Sequence, residues 1–220
     1  MTSSHEHQVR ITRGRVSLEG ILGLPAGPRG VVAFAHGSGS GRFSPRNNFV
    51  ARHLQQNGLA TLLLDLLTPD EADDRRKVFD IDLLADRLLL AKAWLEEEPR
   101  TRNLGIGYFG ASTGAGAALQ AAARDPLKIH AVVSRGGRPD LAESYLASVT
   151  APTLLIVGGD DEPVIEMNQS AYDLLTCEKK LIIVPGATHL FEEPGTLEQV
   201  ADPAGMGFQR YAQPDQKTAR

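Results

Sequence analysis

Gly110-Ala111-Ser112-Thr113-Gly114 sets a serine between two glycines, directly after an apolar run at 104–109 and at the start of an alanine-rich stretch at 112–124. This is G-x-S-x-G at a strand-to-helix turn. In that setting a serine hydroxyl is lifted above a sheet, at a helix N-terminus whose dipole favours developing negative charge. A hydroxyl is a weak nucleophile until an imidazole takes its proton, and the imidazole needs a carboxylate to fix its tautomer and stabilise the imidazolium. Ser112 therefore demands a histidine and an acid on loops at the same sheet edge.

Among six histidines, His189 meets that demand, because it follows the apolar run 181–184 through Pro185-Gly186-Ala187-Thr188. His5 and His7 fall near the N-terminus, His53 inside a helical stretch, and His130 just before an apolar run. The acid is expected between serine and histidine in chain order. Gly158-Gly159-Asp160-Asp161-Glu162-Pro163 follows the run 153–157 there, and loop position leaves Asp160, Asp161 and Glu162 all open. Two glycine patterns suggest other chemistry and fail on context. Gly105-x-Gly107-x-x-Gly110 matches a dinucleotide fingerprint, but its glycines lie within the strand, and no acid ends a following strand at the required distance. The glycine-serine run 37–41 has no Gly-Lys-Ser/Thr after it, so it is no phosphate loop.

The elements that must position these residues follow from hydrophobic patterning. Short apolar runs at 31–35, 60–66, 104–109, 131–134, 153–157 and 181–184 alternate with helical stretches at 47–56, 78–95, 112–124, 141–147 and 164–175. Such alternation implies a mostly parallel sheet with helices on both faces. Segments 9–16 and 17–24 alternate in polarity with no room for a helix between them, and read as an antiparallel edge hairpin. The chain of 220 residues supports one domain over 9–213, with a disordered N-terminal tail at 1–8 and a C-terminal tail at 214–220. The stretch 68–77 is charged and reads as a mobile loop. No segment is left for a large lid, so small, short-acyl esters or lactones are the expected substrates. Pro203, Gly205 and Gly207 should interrupt a helix over 196–211.

Composition narrows the partners. A net charge of −4 with both signs interspersed argues against nucleic acid or an anionic membrane. The N-terminus lacks a secretory pattern and no apolar run is long enough to span a bilayer, so the chain reads as cytoplasmic. The single cysteine, Cys177, permits neither an intrachain disulfide nor a thiolate metal cluster. The partner is then a small molecule.

With the strand ending in His36-Gly37-Ser38-Gly39-Ser40, the elbow, the acidic loop and Gly186-Ala187-Thr188-His189-Leu190-Phe191, nearly the whole chain resembles the α/β-hydrolase superfamily and, within it, the short dienelactone hydrolase-like branch. The resemblance implies a single-domain α/β-hydrolase fold, Asp161 as the acid behind His189, and Ser112 as nucleophile where dienelactone hydrolases proper look to a cysteine. It also implies an oxyanion hole from the backbone N–H of Ser38 or Gly39 alongside that of Thr113. Arg42 and Arg46 flank that loop and Arg135 follows another strand toward the same edge, so all three are candidates for a carboxylate on the substrate. The implied reaction is ester or lactone hydrolysis through an acyl-enzyme, with no metal and no organic cofactor. Alternatives are a binding protein with negligible turnover, and an acyltransferase or perhydrolase.

Overall fold

The apolar runs become the centre of one sheet in the computed structural model, which describes residues 5–126 and 129–211. Its strands are β1 (His5–Arg13), β2 (Val16–Leu24), β3 (Gly30–Ala35), β4 (Ala60–Leu64), β5 (Gly105–Ala111), β6 (Ile129–Arg135), β7 (Thr153–Gly158) and β8 (Lys179–Val184). They lie in the order β1-β2-β4-β3-β5-β6-β7-β8. β1, β2 and β4 pair antiparallel, and every pairing from β4 to β8 is parallel. β3, β4 and β5 are buried along their whole length, which explains why they read as continuous apolar runs rather than alternating ones. The glycines of the dinucleotide-like pattern lie inside β5, as their context required.

Two helical layers cover the sheet. On one face α1 (Pro45–Gln56) and α8 (Thr196–Tyr211) enclose Val50, Leu54, Phe34, Phe109, Val200 and Phe208. The other face carries α4 (Ile81–Glu97), α5 (Thr113–Arg124), α6 (Glu143–Leu146) and α7 (Glu162–Leu174), which bury Leu84, Leu88, Leu119, Leu146 and Ala171. Gly107 makes one contact between layers possible. A Cβ there would sit 2.6 Å from the Phe208 ring, so α8 packs its phenylalanine on bare strand backbone.

Three expectations need correction. His5 to Gln8 are not a disordered tail, since β1 begins at His5 and pairs it with Leu24, a hairpin needing no core side chains at its outer end; the segment 214–220 lies outside the described residues. The stretch 68–77 is structured as α2 (Pro69–Ala72) and α3 (Arg75–Val78). Glu71 fixes α2 by accepting from the Thr68 N–H at 3.0 Å and pairing with Arg87 of α4 at 2.7 Å. Finally, α8 runs unbroken past Pro203. The proline leaves the Gln199 carbonyl without its helical donor, but Gln199 is exposed, so water can serve it, while Val200, Ala201, Ala204 and Phe208 anchor the helix on both sides. Among the described residues no helix is long and apolar enough to cross a membrane.

Candidate active site

Ser112 occupies the turn between β5 and α5 with φ 50° and ψ −123°, a strained conformation for a residue with a Cβ. The turn closes only because its glycines lack side chains. A Cβ on Gly110 would lie 2.4 Å from the Ala115 Cα, and one on Gly114 would lie 2.1 Å from the Ala35 carbonyl oxygen. Strand, helix and the loop after β3 thus converge within atomic contact of the serine.

The loop after β8 brings His189 to the same edge, and its Nε2 stands 3.4 Å from the Ser112 Oγ. On the far side Nδ1 lies 2.7 Å from Asp161 Oδ2, with the carboxylate at the N-terminus of α7. Because a carboxylate only accepts, Nδ1 carries the proton and the Nε2 lone pair faces the serine. Of the three consecutive acids only Asp161 makes this bond. The Asp160 N–H turns back to the Ala187 carbonyl at 3.0 Å, and Glu162 opens α7. The histidine loop is itself clamped, since Glu193 accepts from both the Thr188 N–H at 3.1 Å and the Thr188 hydroxyl at 2.6 Å. Phe191, buried with φ 55°, packs beneath it. Sequence reasoning gave neither Glu193 nor Phe191 this role.

The loop after β3 leans on the elbow. A Cβ on Gly37 would be 3.0 Å from the Ser112 Cβ, and the Ser38 N–H donates to the Thr113 hydroxyl at 3.0 Å. Thr113 is the first residue of α5, so its own N–H has no partner inside the helix. Gly39 turns the loop with φ 69°. His36 anchors it: Nδ1 donates to the Gly37 carbonyl at 3.0 Å and Nε2 accepts from the Leu66 N–H at 3.0 Å, a pattern that only the neutral imidazole satisfies. Burial holds its pKa below 6.5 against the opposing pull of that carbonyl and of Asp65. Its anchoring role was also missed, because it depends on a contact with the end of β4.

Beside this loop opens a cavity of about 700 Å³. Its lining includes the apolar side chains of Leu67, Pro69, Ala72, Val78 and Leu84 together with the polar Asp65, Ser40 and Arg46. No large lid is present among the described residues, but the stretch 68–77, expected as a charged mobile loop, contributes Pro69 and Ala72 of α2 to this lining, and Val78 of α3 joins them.

The three arginines separate sharply. Arg42 is engaged by Asp65 and, at 2.7 Å, by Glu19. Arg46 pairs with Glu192 at 2.9 Å but keeps a buried Nε with no hydrogen bond. Arg135 ends β6 with its carbonyl accepting from the Ser112 N–H at 3.3 Å. Its guanidinium lies over the Phe191 ring, 6.0 Å from the centroid, and has no carboxylate partner among the described residues. Burial, and secondarily the Arg46 charge, push its pKa down to about 10, which leaves it a cation at neutral pH.

A mostly parallel sheet with helices on both faces and a serine elbow at the strands' C-terminal edge defines an α/β-hydrolase fold. The chain belongs to the dienelactone hydrolase family, whose model matches residues 18–213. It is similar to a crystallised dienelactone hydrolase from Anabaena variabilis, with 56% identity, a TM-score of 0.93 and 96% of this chain and 99% of that one covered. The Est1E protein of Butyrivibrio proteoclasticus shares the fold at 17% identity and a TM-score of 0.79, over 93% of this chain and 98% of its own. A Mycobacterium tuberculosis protein provisionally named a phosphoribosyl transferase is 59% identical over 196 residues. Those residues are 89% of this chain but 44% of the relative, so the chain spans less than half the length of that protein.

Proposed function

We propose that this protein is a serine hydrolase of carboxylic esters or lactones. The observation that carries the reading is the hydrogen-bonded chain from Ser112 Oγ through His189 to Asp161, set at a strained elbow beside a cavity. His189 takes the serine proton as Oγ attacks the carbonyl, and Asp161 stabilises the imidazolium. The oxyanion is received by the Thr113 N–H together with that of Ser38, which exchanges the Thr113 hydroxyl for it, or of Gly39; each such donor is worth about 10²–10³ in rate. His189 then protonates the leaving alcohol, and water attacks the acyl-enzyme with the roles reversed. The 3.4 Å separation of Nε2 and Oγ is long, as is common before substrate closes the site.

In this reading the transferase chemistry named for the mycobacterial relative belongs to the part of it that this chain does not match. Substrates are small molecules, and no step calls for a metal or organic cofactor. The test is a hydrolysis screen over acyl and lactone substrates, joined to labelling with a fluorophosphonate. Ser112→Ala and His189→Ala should each lose about 10⁴–10⁶ in kcat, and Ser112→Ala should lose all label. Either folded variant retaining more than about a tenth of the wild-type rate would exclude the assignment. Covalent labelling without turnover would point instead to a binding protein, and faster release to added alcohols or peroxide than to water would point to acyl transfer or perhydrolysis.

A further inference from the structure

Phe43 is 66% exposed, yet the backbone that carries it is fixed on both sides. The Arg42 N–H donates to Asp65 Oδ1 at 2.7 Å, and the Arg42 carbonyl accepts from the Asn48 side-chain amide at 2.9 Å. On the other side the Ser44 N–H returns to the Gly41 carbonyl at 3.0 Å, and Ser44 caps α1. A single exposed phenylalanine means little by itself. This one is held in place and lines the cavity beside the loop after β3.

The Arg42 guanidinium lies over the Phe43 ring, 4.4 Å from its centroid. Asp65 and, at 2.7 Å, Glu19 hold that guanidinium from behind, so the cation is fixed and its charge is already met. With a cation over one face, an exposure of 66% leaves the other face of the ring open. The cation draws π density toward itself, and the open face becomes less negative than that of a free phenylalanine. A flat, electron-rich ring stacks on such a face better than a saturated ring of the same size.

Resting on the hydrolase reading of Ser112, we infer that Phe43, backed by Arg42, is the floor of an aryl subsite that selects esters with an aromatic ring in the acyl group. The cavity, about 700 Å³, lies within the range of small-molecule sites, and Pro69, Ala72 and Val78 add apolar surface to it. The same cavity is lined by Ser38, Gly39 and Thr113, so a ring on Phe43 and a carbonyl at Ser112 belong to one bound molecule. Arg42 acts on the ring and not on the substrate. Phe43 stands apart from the reacting atoms, so its loss falls mainly on KM for aryl esters.

Two matched ester pairs test this. The first is ethyl 3-phenylpropanoate against ethyl 3-cyclohexylpropanoate. The saturated ring is the more hydrophobic, so burial alone favours it and only stacking reverses the order. The wild-type protein should prefer the phenyl ester in kcat/KM by about threefold or more. Phe43→Leu should erase that preference through KM, Phe43→Tyr should keep it, and Phe79→Leu, at another exposed phenylalanine, should leave it intact. The second pair is ethyl 3-(4-methoxyphenyl)propanoate against its 4-nitrophenyl analogue, where the intervening methylenes insulate the ester from the substituent. The methoxy ester should lead by about twofold or more, and Arg42→Met should remove that lead. Turnover with no aryl preference in the wild type, a Phe43→Leu variant that slows both members of the first pair equally, or an Arg42→Met variant that keeps the methoxy lead would overturn the inference while leaving the hydrolase reading in place. If no ester is turned over, the hydrolase reading falls, and 3-(4-methoxyphenyl)propanamide titrated into the wild-type protein by calorimetry decides the subsite alone. Saturable binding that Phe43→Leu weakens supports it, and absence of binding rejects it.

Discussion

Three acids stand in a row at 160–162, and only their directions distinguish them. Asp161 reaches His189, so Asp161→Asn should cost about 10⁴ in kcat by removing the acceptor that fixes the tautomer. Asp160→Asn should change the rate by less than about threefold, since that residue meets the histidine loop through its backbone. Initial rates on p-nitrophenyl acetate decide between them, and a more damaging Asp160 variant would shift the acid by one position. His36 makes a prediction about pH. Its folded pKa lies below the unfolded value of 6.5, so the unfolded chain takes up the proton first. The stability it contributes is complete above pH 6.5 and is lost as the pH falls from there through the folded pKa. Urea midpoints measured between pH 7.5 and 5 should fall less steeply for His36→Gln than for the wild type, and equal slopes would reject the assignment. The meeting of Ser112 and His189 at one edge was legible because a local motif and a loop after a strand specify their places. Asp161 among its neighbours was legible only through family resemblance. The state of Arg135 was not legible, since an arginine after a strand reads as a solvated charge until the sheet and Phe191 enclose it.

At the scale of elements, the segment after β4 changes the substrate expectation most. Four-residue helices give too little periodicity to register, although Thr68-Pro69-Asp70-Glu71 carries the N-cap, first-turn proline and third-position glutamate of a helix start. Once folded, α2 and α3 turn Pro69, Ala72 and Val78 toward the cavity, and the Glu71–Arg87 pair, both partners largely buried, pins them to α4. An acyl chain lying against that apolar lining gains up to ~0.8 kcal/mol per buried methylene, about fourfold in kcat/KM per carbon. The p-nitrophenyl series should therefore rise from acetate through roughly hexanoate, and Ala72→Asp should flatten it. A wild-type maximum at acetate would mean that the acyl group lies elsewhere. The long elements were legible because buried parallel strands are continuous apolar runs. By contrast, α8 was misjudged because propensity counts Pro203 and the two glycines without the four buried anchors that hold the helix.

For the molecule as a whole, a mostly parallel sheet with an antiparallel edge hairpin and helices on both faces follows from the alternation of runs and helices, and the sequence reading reached that much. What it did not reach is the order of the strands, which sets the loops that carry the site side by side. Ser112 follows β5, Arg135 ends β6, Asp161 follows β7 and His189 follows β8, so each consecutive parallel strand delivers one group to the same edge. That order has a consequence during synthesis. His189 lies 77 residues beyond Ser112, and a ribosome adding about 5–20 residues per second needs about 4–15 s to cover that distance. On the proposed reading, the emerging chain holds its serine through that interval without the base that would activate it. Ribosome-bound chains halted with residue 185 at the tunnel exit should take up no fluorophosphonate, whereas released full-length chains should take it up at once. Labelling of the halted chains would show that something other than His189 activates the serine. On the proposed reading, the order in which the strands are made withholds the base from the serine until β8 and the loop after it have emerged.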